Sequence, residues 1–200
     1  MAAKILAESD FPEGDLWVFG YGSLIWKPGF TFIEQKPARL IGEHRSLCIY
    51  SMVHRGTYEK PGLVLGLDRG GACQGVAFRV AAVRRQETVA YLREREQVTG
   101  VYREVMRSVW LKGDARVSAL AYVADRSHDQ YAGRLTIEEQ LRLVRQGHGA
   151  YGPNDEYVIA TVTALEAQGI RDAPLHRLAA LLHGEAALHR HADPDTESQA

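Results

Sequence analysis

This chain is poor in several things that would announce a function. It has only two cysteines, Cys48 and Cys73, far apart and outside any Cys-x-x-Cys pattern. That argues against a disulfide scaffold or a zinc site and for two reduced, packed thiols. It has no excess of charge of one sign: 24 Lys and Arg against 25 Asp and Glu give a formal net charge of −1. A broad basic footprint for nucleic acid is therefore absent. No segment is long and apolar enough to span a bilayer. The first residues carry Lys4 but also Glu8, Asp10, Glu13 and Asp15, which does not read as a signal peptide. The expectation is a cytoplasmic protein that meets neither nucleic acid nor membrane. Internal repeats, linkers and low-complexity blocks are missing too.

What is present is an ordinary globular composition. At 200 residues, 46% hydrophobic and 24% charged, one domain with a sizeable core is expected. Residues 1–15 read as a flexible leader, 16–191 as the domain, and 192–200 as a polar, disordered tail. The organising stretch is Trp17-Val18-Phe19-Gly20-Tyr21-Gly22-Ser23-Leu24-Ile25-Trp26. Its first half is apolar and β-prone and reads as a buried strand. Gly20 and Gly22 bracket Tyr21, and Ser23 follows. A strand running into such a turn can aim successive N–H groups at one point, an arrangement suited to a carboxylate or phosphate. A plain tight turn fits the pattern as well. No Gly-Lys-Ser/Thr follows, so it is not a P-loop, and the third glycine of a dinucleotide fingerprint is missing. Ser23 has no evident His/Asp partners for a hydrolase triad.

Downstream, short strands are expected at Ala38–Ile41, Ser46–Tyr50, Leu63–Leu67 and Cys73–Val80, with Arg69-Gly70-Gly71 as a turn. A helix over Glu87–Val98 follows, stopped by Gly100. Val101–Trp110 and Ser118–Ala124 read as an antiparallel pair joined at Lys112-Gly113-Asp114. Thr136-Ile137-Glu138-Glu139 is a capping box. Asn154 can cap a second helix running to Glu166, and Asp172-Ala173-Pro174 starts a third. The fold class is α+β: a small mixed β-barrel with helices around it.

Glu96 is out of place. It shares a helical stripe with Val89 and Leu92 and sits in the last turn, where the helix dipole disfavours an anion. Positions that break local rules are where function concentrates. The plainer reading is a structural ion pair with Arg95 or Arg103, and sequence alone leaves the two level. The chemistry favours a proton acceptor. An ordinary Glu falls about 4 pKa units short of an ammonium titrating near about 8, roughly 5 kcal/mol, and burial narrows that gap. The eight histidines are scattered. His183, His189 and His191 cluster near the end of the last helix, where a solvated helix end outweighs a metal site. For Tyr151, beside Gly152-Pro153-Asn154, a core or capping role is preferred.

Taken in order, several segments resemble the ChaC family of γ-glutamylcyclotransferases. They are Val18–Trp26, His54-Arg55-Gly56 with Lys60-Pro61-Gly62, Cys73–Arg79, Ala90-Tyr91-Leu92-Arg93-Glu94-Arg95-Glu96 and Asn154-Asp155-Glu156-Tyr157. One departure is Tyr151-Gly152, where the family often has Ser-Gly, and it alters one wall of the pocket. The resemblance implies a γ-glutamylcyclotransferase-like fold and an intramolecular reaction. The α-amine of a γ-glutamyl group attacks its own γ-carbonyl, forming 5-oxoproline and expelling an amine, Cys-Gly when the substrate is glutathione. It implies no metal and no organic cofactor, and it leaves the oligomeric state open. Glu96 then falls on the catalytic glutamate. Gly20, Tyr21, Gly22, Ser23, Leu24 and Ile25 would clamp the glutamyl α-carboxylate, and Tyr157 would help stabilise the oxyanion. Two alternatives stay open: a cyclotransferase for other γ-glutamyl amines or dipeptides, and a non-catalytic ligand-binding regulator in which Glu96 is dispensable.

Overall fold

The computed structural model describes residues 5–113 and 115–190. Five strands close into a barrel: β1 (Leu16–Gly20), β2 (Glu34–Ser51), β3 (Gly62–Val80), β4 (Tyr102–Leu111) and β5 (Arg116–Ala124). Around the barrel they run β1-β3-β2-β4-β5. Most neighbours are antiparallel, and a short parallel pairing of Trp17 with Ala119 and Val18 with Leu120 joins β1 to β5. Closure leaves no open edge for these strands. The α+β class and the mixed barrel agree with the sequence reading.

The period of two sorts side chains into two cores. Leu16 and Val18 of β1, with Leu120 and Tyr122 of β5, pack beside Val89 and Leu92 of α1 (Arg85–Glu96). Phe19 and Tyr21, with Ala119, Ala121 and Val123, pack against a helical layer. That layer is α2 (Ile137–Gln146), α3 (Asn154–Ala167) and α4 (Ala173–Arg190). Strands covered on both faces lose the polar alternation of a half-exposed sheet, which is why β1 reads as a continuous apolar run.

Four expected short strands merge into two long ones. β2 spans 18 residues and β3 spans 19. The register shifts between Ile41 and Glu43 and again between Leu47 and Ile49. Arg69-Gly70-Gly71 is no chain reversal. It lies inside β3 opposite the first shift, with Gly70 at φ 101° and Gly71 at φ 70°. A bulge demands the same left-handed glycines as a turn, so the local signal is identical.

Residues 5–15 do not trail loosely. Leu6 N–H donates to Glu104 at 3.0 Å, Arg93 Nη2 donates to Leu6 O at 2.8 Å, and Phe11 is buried. Glu104 is fully buried and takes Arg93 and the Tyr122 hydroxyl as partners. The expected tail, with His191 and Asp114, lies outside the described residues. Among the described residues, no helix is long and apolar enough to cross a membrane.

Thr136 and Glu139 form the expected reciprocal cap of α2. Asp172 Oδ1 accepts the Leu175 N–H at the start of α4, at 3.2 Å. Asn154 is not a cap. Pro153 holds that position, and Asn154 clamps β3 instead: its Oδ1 accepts the Leu63 N–H at 2.6 Å and its Nδ2 donates to Leu63 O at 2.7 Å.

Candidate active site

A cavity of about 650 Å³ opens where the end of β1, the end of α1, the start of α3 and the β2–β3 loop meet. Six of the expected residues lie on its wall: Tyr21, Gly22, Ser23, Leu24, Glu96 and Tyr157. Two do not. Gly20 is paired with Val76 in the β1–β3 ladder, and a Cβ there would meet the Phe78 ring at 3.0 Å. Ile25 spends its N–H on Gly22 O at 2.9 Å and packs its side chain against the core. The expected carboxylate clamp therefore narrows to Tyr21–Leu24.

Residues Ser23–Ile25 make one tight 3₁₀ turn, closed again by Lys27 N–H on Ser23 O at 2.9 Å. The first N–H groups of such a turn have no partner within it. Below, the buried Arg45 fixes its entrance: Nε donates to Tyr21 O at 2.6 Å, Nη2 to Gln74 O, and Nη1 to Asp172 at 2.8 Å.

α1 ends at Glu96, two residues earlier than its composition suggests. Val89 and Leu92 below it are buried, and the Glu96 side chain is 17% exposed. Arg95 does pair with it, Nε to Oε1 at 3.1 Å. The same guanidinium donates to Ser23 Oγ at 2.9 Å, to Lys27 O and to Tyr91 Oη at 3.1 Å. The ion pair and the site are thus one construction, and Arg95 straps the end of α1 to the turn. Burial pushes the Glu96 carboxyl above the ordinary carboxylate range, while the Arg95 charge and hydrogen bond pull it back.

Phenols surround this carboxylate. Tyr21, Tyr102, Tyr122 and Tyr157 share its cavity. Burial above all, with the Glu96 charge among the lesser causes, raises Tyr21, Tyr102 and Tyr157, the last to about 12. All stay protonated near neutrality. Tyr102 Oη donates to Leu65 O at 2.7 Å and Tyr122 Oη to Glu104 at 3.0 Å. Tyr157 differs: its oxygen accepts the Leu65 N–H at 3.2 Å, which leaves its own proton to donate. It also lies close to Gly22, where an added Cβ would sit 3.6 Å from the hydroxyl.

Sequence reading misses much of the wall. It places Tyr102 and Tyr122 in strands with no role at the site, although inward alternation along β4 and β5 is a usable signal. His54 and Arg55 line the cavity from the β2–β3 loop, a placement that no local pattern encodes. Tyr151 is neither core nor cap. It is 66% exposed at the cavity mouth, stacked on His54 with ring centroids 4.7 Å apart. Cys48 and Cys73 are buried and free, with burial pushing their thiols up to about 12 and about 11. Among the described residues, no cluster of three or more His, Cys, Asp or Glu could hold a metal ion.

Both the sequence and the barrel fold have known relatives. The model for ChaC-like proteins matches residues 16–185. A glutathione-specific γ-glutamylcyclotransferase of Escherichia coli is 32% identical over 178 residues, covering 89% of this chain and 76% of that protein. Glutathione-specific γ-glutamylcyclotransferase 1 of mouse is 35% identical over 160 residues, covering 76% and 72%. The crystal structure of a yeast γ-glutamyl cyclotransferase specific to glutathione superposes with a TM-score of 0.79. It is 23% identical and covers 86% of this chain and 97% of its own, a likeness of fold. The chain belongs to the ChaC-like family.

Proposed function

We propose that this protein cyclises the γ-glutamyl group of glutathione to 5-oxoproline and releases Cys-Gly, with Glu96 as general base. One observation carries the reading. A carboxylate held among apolar and phenolic neighbours is strapped by Arg95 to the hydroxyl of the turn that opens onto the same cavity. The relatives named as glutathione-specific cyclotransferases support the choice of substrate. The proposal includes a cytoplasmic location and a reaction that needs no metal or organic cofactor.

Nucleophile and electrophile sit in one molecule, so the site has to hold the substrate in its attacking conformer. Such orientation is worth about 7–11 kcal/mol of barrier. The N–H groups at the start of the Ser23–Ile25 turn take the glutamyl α-carboxylate. Glu96 accepts a proton from the α-ammonium, and the freed lone pair attacks the γ-carbonyl carbon. The Tyr157 hydroxyl donates to the oxyanion as it forms. Collapse breaks the bond to the cysteine nitrogen. The attacking nitrogen sheds two protons and the leaving nitrogen gains two, and Glu96 relays them. An ammonium enters and an ammonium leaves, so no net proton is exchanged with solvent.

The test is incubation with glutathione and quantification of 5-oxoproline and Cys-Gly. Glu96→Gln should fold and lose about 10²–10⁴-fold in kcat, the usual span of a general base. Ordinary turnover in that variant would sink the base assignment, and no product from the unaltered protein would sink the substrate.

A further inference from the structure

Of the arginines in and beneath the cavity, the proposed chemistry leaves one without work. Arg95 faces Glu96 and Arg45 faces Asp172. Arg55 also lines the cavity, yet among the described residues it has no carboxylate within ion-pair distance. Its Nη1 donates to Pro153 O at 2.9 Å, and its Cζ stands 5.7 Å from the centre of the Tyr157 ring. No acceptor among the described residues takes its Nε or Nη2. Glu156 approaches the same side of Gly152 as Arg55 does, but its side chain is exposed and makes no ion pair with it.

The loop that carries Arg55 is fixed. Ser51 Oγ accepts the Arg55 N–H at 3.0 Å, and the loop pairs with 150–151 through Ala150 N–H on Val53 O and Tyr151 N–H on His54 O, both at 2.9 Å. A Cβ on Gly56 would collide with the backbone of Gly62, so the two ends of the loop cross in contact. Beside Arg55, His54 lies flat on Tyr151 at an interplanar angle of 17°. Burial and the charges of Arg55 and Arg95 hold that imidazole below its ordinary range, so it is neutral at neutral pH. The result is a fixed guanidinium with free donors beside a neutral aromatic ledge.

A tripeptide with a γ-glutamyl head carries a carboxylate at each end. The head is taken by the turn. A carboxylate drawn out of water at the other end needs a fixed, hydrogen-bonding counter-charge. Lys27 on the rim is exposed and flexible and satisfies that need poorly. We propose that Arg55, with the His54–Tyr151 ledge, is a second carboxylate subsite that takes the C-terminal carboxylate of the leaving dipeptide and so selects γ-glutamyl peptides ending in a free acid. This rests on the cyclotransferase reading above.

The experiment compares kcat/KM for glutathione and for glutathione amidated at its glycine carboxylate, in the unaltered protein, Arg55→Gln and Arg55→Lys. The unaltered protein should prefer the free acid by about 10–100-fold, mainly through KM, as for loss of a hydrogen bond to a charged group. Arg55→Gln should erase the preference, and Arg55→Lys should restore part of it. Equal use of acid and amide by the unaltered protein overturns the subsite whatever the variants do. So does an Arg55→Gln variant that loses equally on both substrates. Product from neither substrate overturns the cyclotransferase reading itself, and the subsite with it.

Discussion

Arg95 Nη2 donates to Ser23 Oγ at 2.9 Å across 72 positions of sequence. Through that bond the residue next to the proposed base holds the turn proposed to bind the substrate. Arg95 therefore has two separable roles, charge and strap. Arg95→Met removes both. Four phenols face Glu96 from the other elements, Tyr21, Tyr102, Tyr122 and Tyr157, and Arg95 is the cation that lowers its pKa. Without it the Glu96 pKa climbs further, and the acid limb of the pH profile of kcat/KM should move to higher pH. Arg95→Lys keeps the charge but lacks the planar fork. It should leave the limb near its original place while turnover drops about 10²-fold, the scale of a small misplacement in an oriented reaction. An unmoved limb in Arg95→Met would show that Arg95 does not control Glu96.

The raised pKa of Glu96 also has a consequence for stability. A carboxyl whose folded pKa lies above its unfolded value binds its proton more tightly when folded. Its ionisation opposes folding, progressively as pH rises from the unfolded pKa through the folded one. Above both, the unaltered protein carries the full penalty. Glu96→Gln should therefore match or exceed its stability at pH 7 in thermal melts, and the difference should shrink as pH falls toward 4. A variant clearly less stable at pH 7 would mean that the Arg95 ion pair outweighs burial.

What sequence reveals and what it hides divide along physical lines. β1, the turn after it and the cap of α2 are written in consecutive residues, and each is readable. Glu96 is readable because it breaks two local rules in a helix whose stripe Val89 and Leu92 define. The lengths of β2 and β3 are not, because a glycine pair at a bulge looks like a glycine pair at a turn until the partner strand is known. Asn154 shows the same limit. A short amide before a helix suits a cap, but its clamp on Leu63 lies 91 positions away. Arg55 and His54 reach the cavity only because the loop crosses itself at Gly56 and Gly62, and no periodicity carries that information.

Tyr157→Phe isolates a hydroxyl that both accepts from Leu65 N–H and is free to donate. The buried Leu65 N–H loses its acceptor, which costs about 1–3 kcal/mol of stability in chemical denaturation. If the freed proton serves the oxyanion, kcat should fall about 10²–10³-fold with KM little changed. A rise in KM at constant kcat would instead assign the hydroxyl to ground-state binding of the α-carboxylate.

Arg45 links the site to the helical layer. Its side chain is 3% exposed, and its three donors reach Tyr21 O, Gln74 O and Asp172, whose side chain is 15% exposed. Arg45→Met keeps much of the volume but leaves a shielded carboxylate and two carbonyls without their donor. Removing one member of a buried pair costs about 3–5 kcal/mol, and denaturant unfolding should show a loss of that size. Asp172→Asn, which keeps one of the two oxygens that accept from Nη1 and from the Leu175 N–H, should lose less. The two variants should also differ in catalysis, because only Arg45 touches the carbonyl of Tyr21. Arg45→Met should lower kcat/KM for γ-glutamyl substrates below that of Asp172→Asn even at temperatures where both remain folded. Equal activity in the two folded variants would show that the turn keeps its shape without the brace beneath it.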